Sequence, residues 1–123
     1  MLRNLFYIKS FREESDNTFS VTVRINPGHP VFSGHFPGLP VLPGVCSLYL
    51  IRFCTERFTR CPLQYVSIGS CKFTRMIDPL RQEEIGVQVR ILHREEGWQI
   101  RAVMQYGSLN VLKLQAIMKE VLI

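Results

Sequence analysis

The sequence predicts an α+β fold in which an antiparallel sheet wraps around one apolar helix. Several segments alternate apolar and polar residues, as half-buried strands do, and a single apolar segment has the length of a helix. The chain has 123 residues, of which 46% are hydrophobic and 20% charged, a composition typical of a globular protein. This length is ordinary for one domain, so residues 1–123 are assigned to a single domain.

The first third of the chain predicts a strand followed by a loop. Residues 1–12 are apolar and basic, which indicates a short helix or an edge strand over the core. From Asn17 to Ile25, apolar and polar side chains alternate, which predicts a half-buried strand. Most of the prolines fall between Asn26 and Pro43, so this stretch is predicted to be a loop.

A helix is predicted from Gly44 to about Arg60. Pro43 stands at its start, where a missing N–H group costs nothing. The first half is apolar on nearly every side, which predicts burial all round. Cys61 and Pro62 end the helix.

Four strands are predicted to follow the helix, over Gln64–Ile77, residues 85–92, residues 98–106 and Leu109–Val121. The last three alternate and are joined by tight turns, which is typical of an antiparallel meander. A sheet needs a cover for its apolar face, and the one helix is the obvious cover. The predicted architecture is therefore the α+β hotdog arrangement.

Charge and hydropathy exclude two classes of partner. The formal net charge is +5, but the basic residues are scattered and form no run of five, so no nucleic-acid interface is predicted. An acidic protein partner or a charged substrate handle fits this excess better. Ile25–Ile51 contains no Lys, Arg, Asp or Glu, yet its prolines and glycines rule out one continuous membrane-spanning helix.

The four cysteines predict reduced thiols. No secretory signal precedes Cys46, Cys54, Cys61 and Cys71, and none of them forms a Cys-x-x-Cys pair. The three histidines lack zinc spacing, so no metal site is predicted. Buried thiols of this kind are expected in a cytoplasmic protein, where they act as small hydrophobic side chains.

The segment from His35 to Val45 carries the chemistry. It places a histidine in a rigid, uncharged loop that leads into the amino end of a buried helix. Unpaired N–H groups around Gly44 can polarise a carbonyl and hold a developing oxyanion. Histidine is suited to proton transfer near neutral pH. Together these features predict removal of a proton next to a thioester carbonyl, without a metal or organic cofactor.

The same segment resembles the β-hydroxyacyl-acyl carrier protein dehydratases of the hotdog superfamily. Their pattern, His-Phe-x-Gly-x-Pro-x-x-Pro-Gly, is matched from His35 to Gly44. Weaker similarities follow at residues 72–75 with Asp78-Pro79 and at Gly97-Trp98. The resemblance spans nearly the whole chain, although only the first motif is specific.

The resemblance implies roles for individual residues. His35 takes the position of the catalytic histidine, and the Gly44 amide that of the oxyanion donor. The family's second catalytic residue, an Asp or Glu fourteen residues after the histidine, is Tyr49 here. Tyr49 is interpreted either as a weaker acid or as a packed aromatic side chain. Substrate contacts are expected from Phe36, Pro37, Gly38, Val45 and Phe53, although Phe36 and Phe53 could equally be core residues.

The resemblance therefore implies a lyase that dehydrates β-hydroxyacyl chains in fatty-acid or polyketide-type synthesis. The acyl chain would be carried by acyl carrier protein or coenzyme A. Some basic residues would bind the phosphopantetheine phosphate or an acidic carrier protein; alternatively, all of them are solvated surface charges. These residues are Arg52, Arg57, Arg60, Lys72 and Arg75.

Two alternatives stay open. One is a non-catalytic or half-catalytic subunit that pairs with an acid-bearing dehydratase subunit. The other is an acyl-thioester-binding protein or thioesterase. A homodimer, or a heterodimer with another hotdog subunit, is expected from the family and because an open sheet leaves unpaired edges.

Overall fold

The computed structural model describes residues 3–34, 41–81 and 83–122. Within these ranges, six antiparallel strands form one sheet in the order β1-β2-β4-β5-β6-β3. The elements follow the chain as β1 (Phe6–Glu13), β2 (Thr18–Ile25), α1 (Val31–Gly34), α2 (Gly44–Thr59), β3 (Leu63–Phe73), β4 (Glu84–Arg94), β5 (Gly97–Tyr106) and β6 (Leu109–Glu120). The predicted hotdog architecture and the meander β4-β5-β6 are confirmed.

The register of the sheet puts apolar side chains on one face. Ile91 lies opposite Ile100, and Ala102 lies opposite Leu114, and all four are buried. Because side chains alternate along a strand, the polar residues between them face outward. The sheet thus has an apolar inner face against α2 and a polar outer face.

Stacked phenylalanines join α2 to the first two strands. The Phe19 ring is fully buried, and its centroid lies 5.2 Å from that of Phe11 and 4.7 Å from that of Phe58. Burial of a large aromatic side chain contributes roughly 1.5–3 kcal/mol. These contacts hold the helix across the sheet, and so they position the amino end of α2.

Three local expectations are refined by the structure. The first residues form the edge strand β1, rather than the short helix that was the alternative. The predicted loop contains the four-residue helix α1. β3 ends at Phe73, short of the predicted Ile77, because the Ile77 carbonyl accepts a hydrogen bond from the Leu42 N–H at 2.8 Å. The chain leaves the sheet there and supports the segment that enters α2.

The prediction that α2 is buried all round is wrong for this chain. Val45 is 72% exposed and Phe53 is 44% exposed, while Leu50 and Cys54 are fully or almost fully buried. Val45, Tyr49 and Phe53 are spaced four residues apart, so they share one face of the helix. The sheet covers the opposite face only, and hydropathy alone cannot tell which partner covers an apolar side chain.

Neither helix in the described ranges has the length and apolar content needed to cross a membrane.

Gly97 is expected to be essential for the turn between β4 and β5. Its φ is +130°, and a Cβ atom there would lie 2.5 Å from the Met118 carbonyl oxygen. We expect Gly97→Ala to lower the free energy of unfolding by at least about 2 kcal/mol, since strain and a backbone clash add together. Urea denaturation measures this loss.

Gly107→Ala is the matched control for that substitution. Gly107 has a φ of +59°, but a Cβ atom added there would meet no other atom within 4 Å. Only the conformational cost remains, roughly 1–2 kcal/mol. A loss for Gly97→Ala no larger than that for Gly107→Ala would contradict the role assigned to the Met118 contact.

Candidate active site

The amino end of α2 carries backbone donors that none of the described side chains caps. Pro43 is the N-cap residue, with φ −61° and ψ 143°, and no capping side-chain hydrogen bond forms among the described residues. The Cys46 N–H donates to the Pro43 carbonyl at 3.0 Å, so the Gly44 and Val45 amides precede the first intrahelical donor. They lie at the positive end of the helix dipole, which favours a partial negative charge.

Phe73 packs directly against this end of the helix. A Cβ atom at residue 44 would lie 2.9 Å from the Phe73 ring, so the ring approaches as closely as it does only because Gly44 has no side chain. The sequence motif identifies the glycine but gives no indication of the ring, since their contact depends on the register of β3. The structure therefore adds Phe73 to the candidate site.

His35, Phe36, Pro37 and Gly38 lie outside the described residues, so their placement stays a prediction. The chain is described again from Val41, and Val41 and Leu42 are both buried. Their burial anchors the segment that enters α2.

His29 and His93 have structural roles. The His29 Nδ1 atom accepts a hydrogen bond from the Val31 N–H, and its Nε2 atom lies 3.0 Å from the Arg3 carbonyl oxygen. The ring therefore connects the start of α1 to the amino-terminal segment, as expected for a turn residue. The His93 ring packs on Trp98, with centroids 4.4 Å apart. Both rings are engaged away from the start of α2, so neither is a candidate for the role assigned to His35.

Tyr49 lies on the open face of α2, rather more than one turn beyond Gly44. Its ring stacks on Phe53 with centroids 6.3 Å apart, and the Arg52 guanidinium carbon lies 5.5 Å from the ring centroid. Its hydroxyl makes no hydrogen bond to the described residues. Among the described residues, the phenol is thus held by contacts to its ring.

Glu56 is the one carboxylate in the sequence of α2, and it is already engaged. Its Oε2 atom accepts a hydrogen bond from the Leu63 N–H at 2.7 Å and lies 3.8 Å from an Arg52 nitrogen. It stabilises the connection from α2 to β3. The helix of this chain therefore supplies no free carboxylate beside Tyr49.

The cysteines are free thiols, and two of them are core residues. Cys46 and Cys54 are buried on the sheet side of α2. Burial raises the pKa of the Cys54 thiol to about 12 and also raises the pKa of Cys46. Both are therefore protonated at neutral pH, which excludes either as a thiolate nucleophile. Among the described residues, no cluster of three His, Cys, Asp or Glu side chains is placed to hold a metal.

Comparison with known proteins places the chain among dehydratases. The sequence model of the ApeI-like family, described as ApeI dehydratase, matches residues 11–110. The 3-hydroxyacyl-(acyl-carrier-protein) dehydratase FabZ of Haemophilus influenzae is 37% identical over 73 residues. That alignment covers 53% of this chain and 49% of FabZ, so the match spans about half the length of the relative. The predicted resemblance to this class of dehydratase is confirmed.

Solved structures share the fold at low sequence identity. The dehydratase heterocomplex ApeI:P from Xenorhabdus doucetiae superposes with a TM-score of 0.76 at 15% identity, over 93% of this chain and 97% of that one. The fluoroacetyl-CoA-specific thioesterase FlK gives a TM-score of 0.67 at 10% identity, over 89% and 90%. At such identities the likeness shows the fold alone.

Replacing Glu56 is expected to affect stability and leave the chemistry intact. Glu56→Ala leaves the Leu63 N–H without its acceptor, which should cost about 1–3 kcal/mol of unfolding free energy. Glu56→Gln is the matched control, because its amide oxygen can still accept that bond, and a smaller loss is expected. Urea denaturation measures both variants. Glu56→Ala as stable as the wild type, or Glu56→Gln no more stable than Glu56→Ala, would contradict this role for the Glu56 carboxylate.

Proposed function

The chain belongs to the ApeI-like dehydratase family, and we propose that it dehydrates β-hydroxyacyl thioesters through His35 and the Gly44 amide. The observation that carries this proposal is the uncapped start of α2, directly after the histidine motif. The relative FabZ is named for 3-hydroxyacyl groups on acyl carrier protein, so we assign a carrier-protein or coenzyme A thioester as substrate. Fatty-acid or polyketide-type chain synthesis in the cytoplasm is the matching context.

The first step of the proposed reaction removes the α-proton. The thioester carbonyl oxygen accepts a hydrogen bond from the Gly44 N–H, and the helix dipole stabilises the charge that develops there. His35 takes the proton from the α-carbon. The electron pair of that C–H bond is delocalised toward the carbonyl oxygen, which makes removal of the proton feasible near neutral pH.

The second step expels the β-hydroxyl group. The electron pair returns to form the double bond between the α- and β-carbons, and the C–O bond at the β-carbon breaks. The departing oxygen takes a proton and leaves as water. By the resemblance Tyr49 takes the position of the acid, and we assign its hydroxyl as the proton donor; a phenol is a weaker acid than a carboxyl group.

The open face of α2 is the proposed wall for the acyl chain. Val45, Tyr49 and Phe53 form an apolar stripe along this face, and Val45 adjoins the polarising amide. Phe36, Pro37 and Gly38 complete the substrate contacts in the proposal. Covering the stripe with an acyl chain or a second subunit would remove apolar surface from water.

His35→Ala is expected to lower hydration of a 2-enoyl thioester by about 100-fold or more, since loss of a general base removes at least that factor. The reaction is monitored by the loss of absorbance as the conjugated thioester is hydrated. His93→Ala is the matched control, because that ring packs on Trp98 in the β4-β5 hairpin. Equal rates for the wild-type protein and His35→Ala would refute the proposal.

A second candidate function is a half-catalytic subunit whose partner supplies the missing carboxylate. Tyr49 occupies the acid position, and Glu56 is engaged with Leu63. β3 is an edge strand of the sheet, and Val66, Ile68 and Phe73 are each about half exposed. An unpaired apolar edge favours pairing with another strand. The similar fold of ApeI:P, described as a dehydratase heterocomplex, makes another hotdog subunit the proposed partner.

Tyr49→Glu separates the two candidates. If the isolated chain lacks only the acid, the variant should gain at least about 10-fold in enoyl-thioester hydration, since general acid catalysis contributes that much or more. Tyr49→Phe is the control, because it removes the hydroxyl without adding a carboxylate. No gain in Tyr49→Glu, together with full loss in Tyr49→Phe, would identify the phenol as the working acid and exclude the half-catalytic subunit.

A thioesterase is the less supported alternative. That reaction usually needs a carboxylate to activate water or attack the thioester, and the one on α2 is bound to the Leu63 amide.

A further inference from the structure

The outer face of the sheet carries a polar cavity that the proposed dehydration does not use. It is an open depression of about 620 Å³ that spans β2 to β6, and its charged side chains are exposed. Four cations line it, and the other polar side chains are neutral amides and hydroxyls; no carboxylate among the described residues contributes. The cations are Lys72, Arg90, Arg101 and Lys113.

The strand register places these cations directly against each other. Arg90 lies opposite Arg101 on β4 and β5, and Lys72 lies opposite Lys113 on β3 and β6. Like charges at directly opposed positions destabilise a sheet. A protein that keeps two such pairs side by side breaks a local rule of sheet design, which is the pattern expected of a binding site.

The four cations form no ion pair with the described residues. Elsewhere the same outer face does pair its charges, since the Lys9 Nζ atom lies 2.7 Å from Glu84 Oε2. The repulsion in the cavity is therefore not relieved by the protein. A bound anion would relieve the repulsion between the cations. Because none of the described carboxylates lines the cavity, none of them would repel that anion there.

The spacing of the pairs indicates the kind of anion. Opposed side chains have Cβ atoms about 5 Å apart, so two cations can converge on one anionic group. Lys113 lies opposite Val103, two residues along β5 from Arg101, so the pairs are diagonal neighbours about 7–8 Å apart. Arginine binds phosphate oxygens in a fork, and lysine binds phosphate as a point charge.

We propose that this cavity binds a small molecule of nucleotide size that carries two phosphate groups. Each cation pair holds one phosphate, and neutral side chains such as Gln88 and Gln115 contact the remainder of the ligand. A second copy of this face is excluded as the occupant, because it would set cations against cations.

The site is separate from the dehydratase site. Phe73 points to the inner face, where it contacts Gly44, and its neighbour Lys72 points to the outer face. Failure of one proposal therefore leaves the other standing.

Adenosine 3′,5′-bisphosphate is the probe, and titration calorimetry on the full chain measures its binding. We expect saturable binding that weakens between about 50 mM and about 200 mM salt, since exposed charges are screened. Adenosine 5′-monophosphate, with one phosphate, should bind at least about 10-fold more weakly. Arg101→Gln and Lys113→Gln should each weaken binding of the bisphosphate by about 10-fold or more.

Lys119→Gln is the matched control, because Lys119 is an exposed lysine of β6 outside the cavity. It should bind the bisphosphate within about twofold of the wild type, since it loses only screened long-range charge. Without ligand, Arg101→Gln should melt at the same temperature as the wild type or higher, because one repulsive pair is gone. A merely structural role for Arg101 would instead lower the melting temperature.

Three results would overturn the proposal. They are the absence of saturable binding of the bisphosphate, equal affinity in the wild type and both cavity variants, and binding of poly-glutamate but not of the bisphosphate. The last result would identify the face as a docking surface for an acidic protein. Enoyl-thioester hydration by Arg101→Gln should match the wild type, which distinguishes this site from the one at Gly44.

Discussion

Burial of one face of α2 against the inner face of the sheet is the constraint on which the rest of the structure depends. The stacked rings of Phe11, Phe19 and Phe58 hold the helix across the first two strands. At the other end, close approach of Phe73 to Gly44 fixes where the helix begins. A helix displaced along the sheet would move the Gly44 and Val45 amides away from the Phe73 ring. The packing of the core therefore determines where the backbone donors of α2 lie.

The same constraint leaves one face of α2 without a cover from the described residues. A six-stranded sheet covers one side of a helix, so the stripe of Val45, Tyr49 and Phe53 stays open. Glu56 is committed to the connection into β3, which removes the only carboxylate of α2 from the site. An exposed apolar face and an unpaired β3 edge both favour contact with another surface.

The sequence predicted the elements whose patterns are local. Alternation identified the strands of the meander, and the proline-rich segment with Gly44 located the start of α2, since both signals come from neighbouring residues. The prediction failed where tertiary contacts determine the structure. Ile77 was predicted to lie in a strand, yet its carbonyl accepts a hydrogen bond from the Leu42 N–H. In the same way, the apolar stripe of α2 gives no indication of which side the sheet covers. The motif supplied His35, Gly44 and Tyr49 as candidates, but the contacts of Phe73 and Arg52 required the register of β3 and the turn of the helix.

The two faces of β3 show how one strand serves two sites. Lys72 faces the outer cavity and Phe73 packs on Gly44, because successive side chains of a strand point to opposite faces. A one-residue slip of β3 against β6 would exchange them, placing a charge against the start of α2 and an aromatic ring among the cations. Burial of the inner face therefore fixes the register that also opposes Lys72 to Lys113.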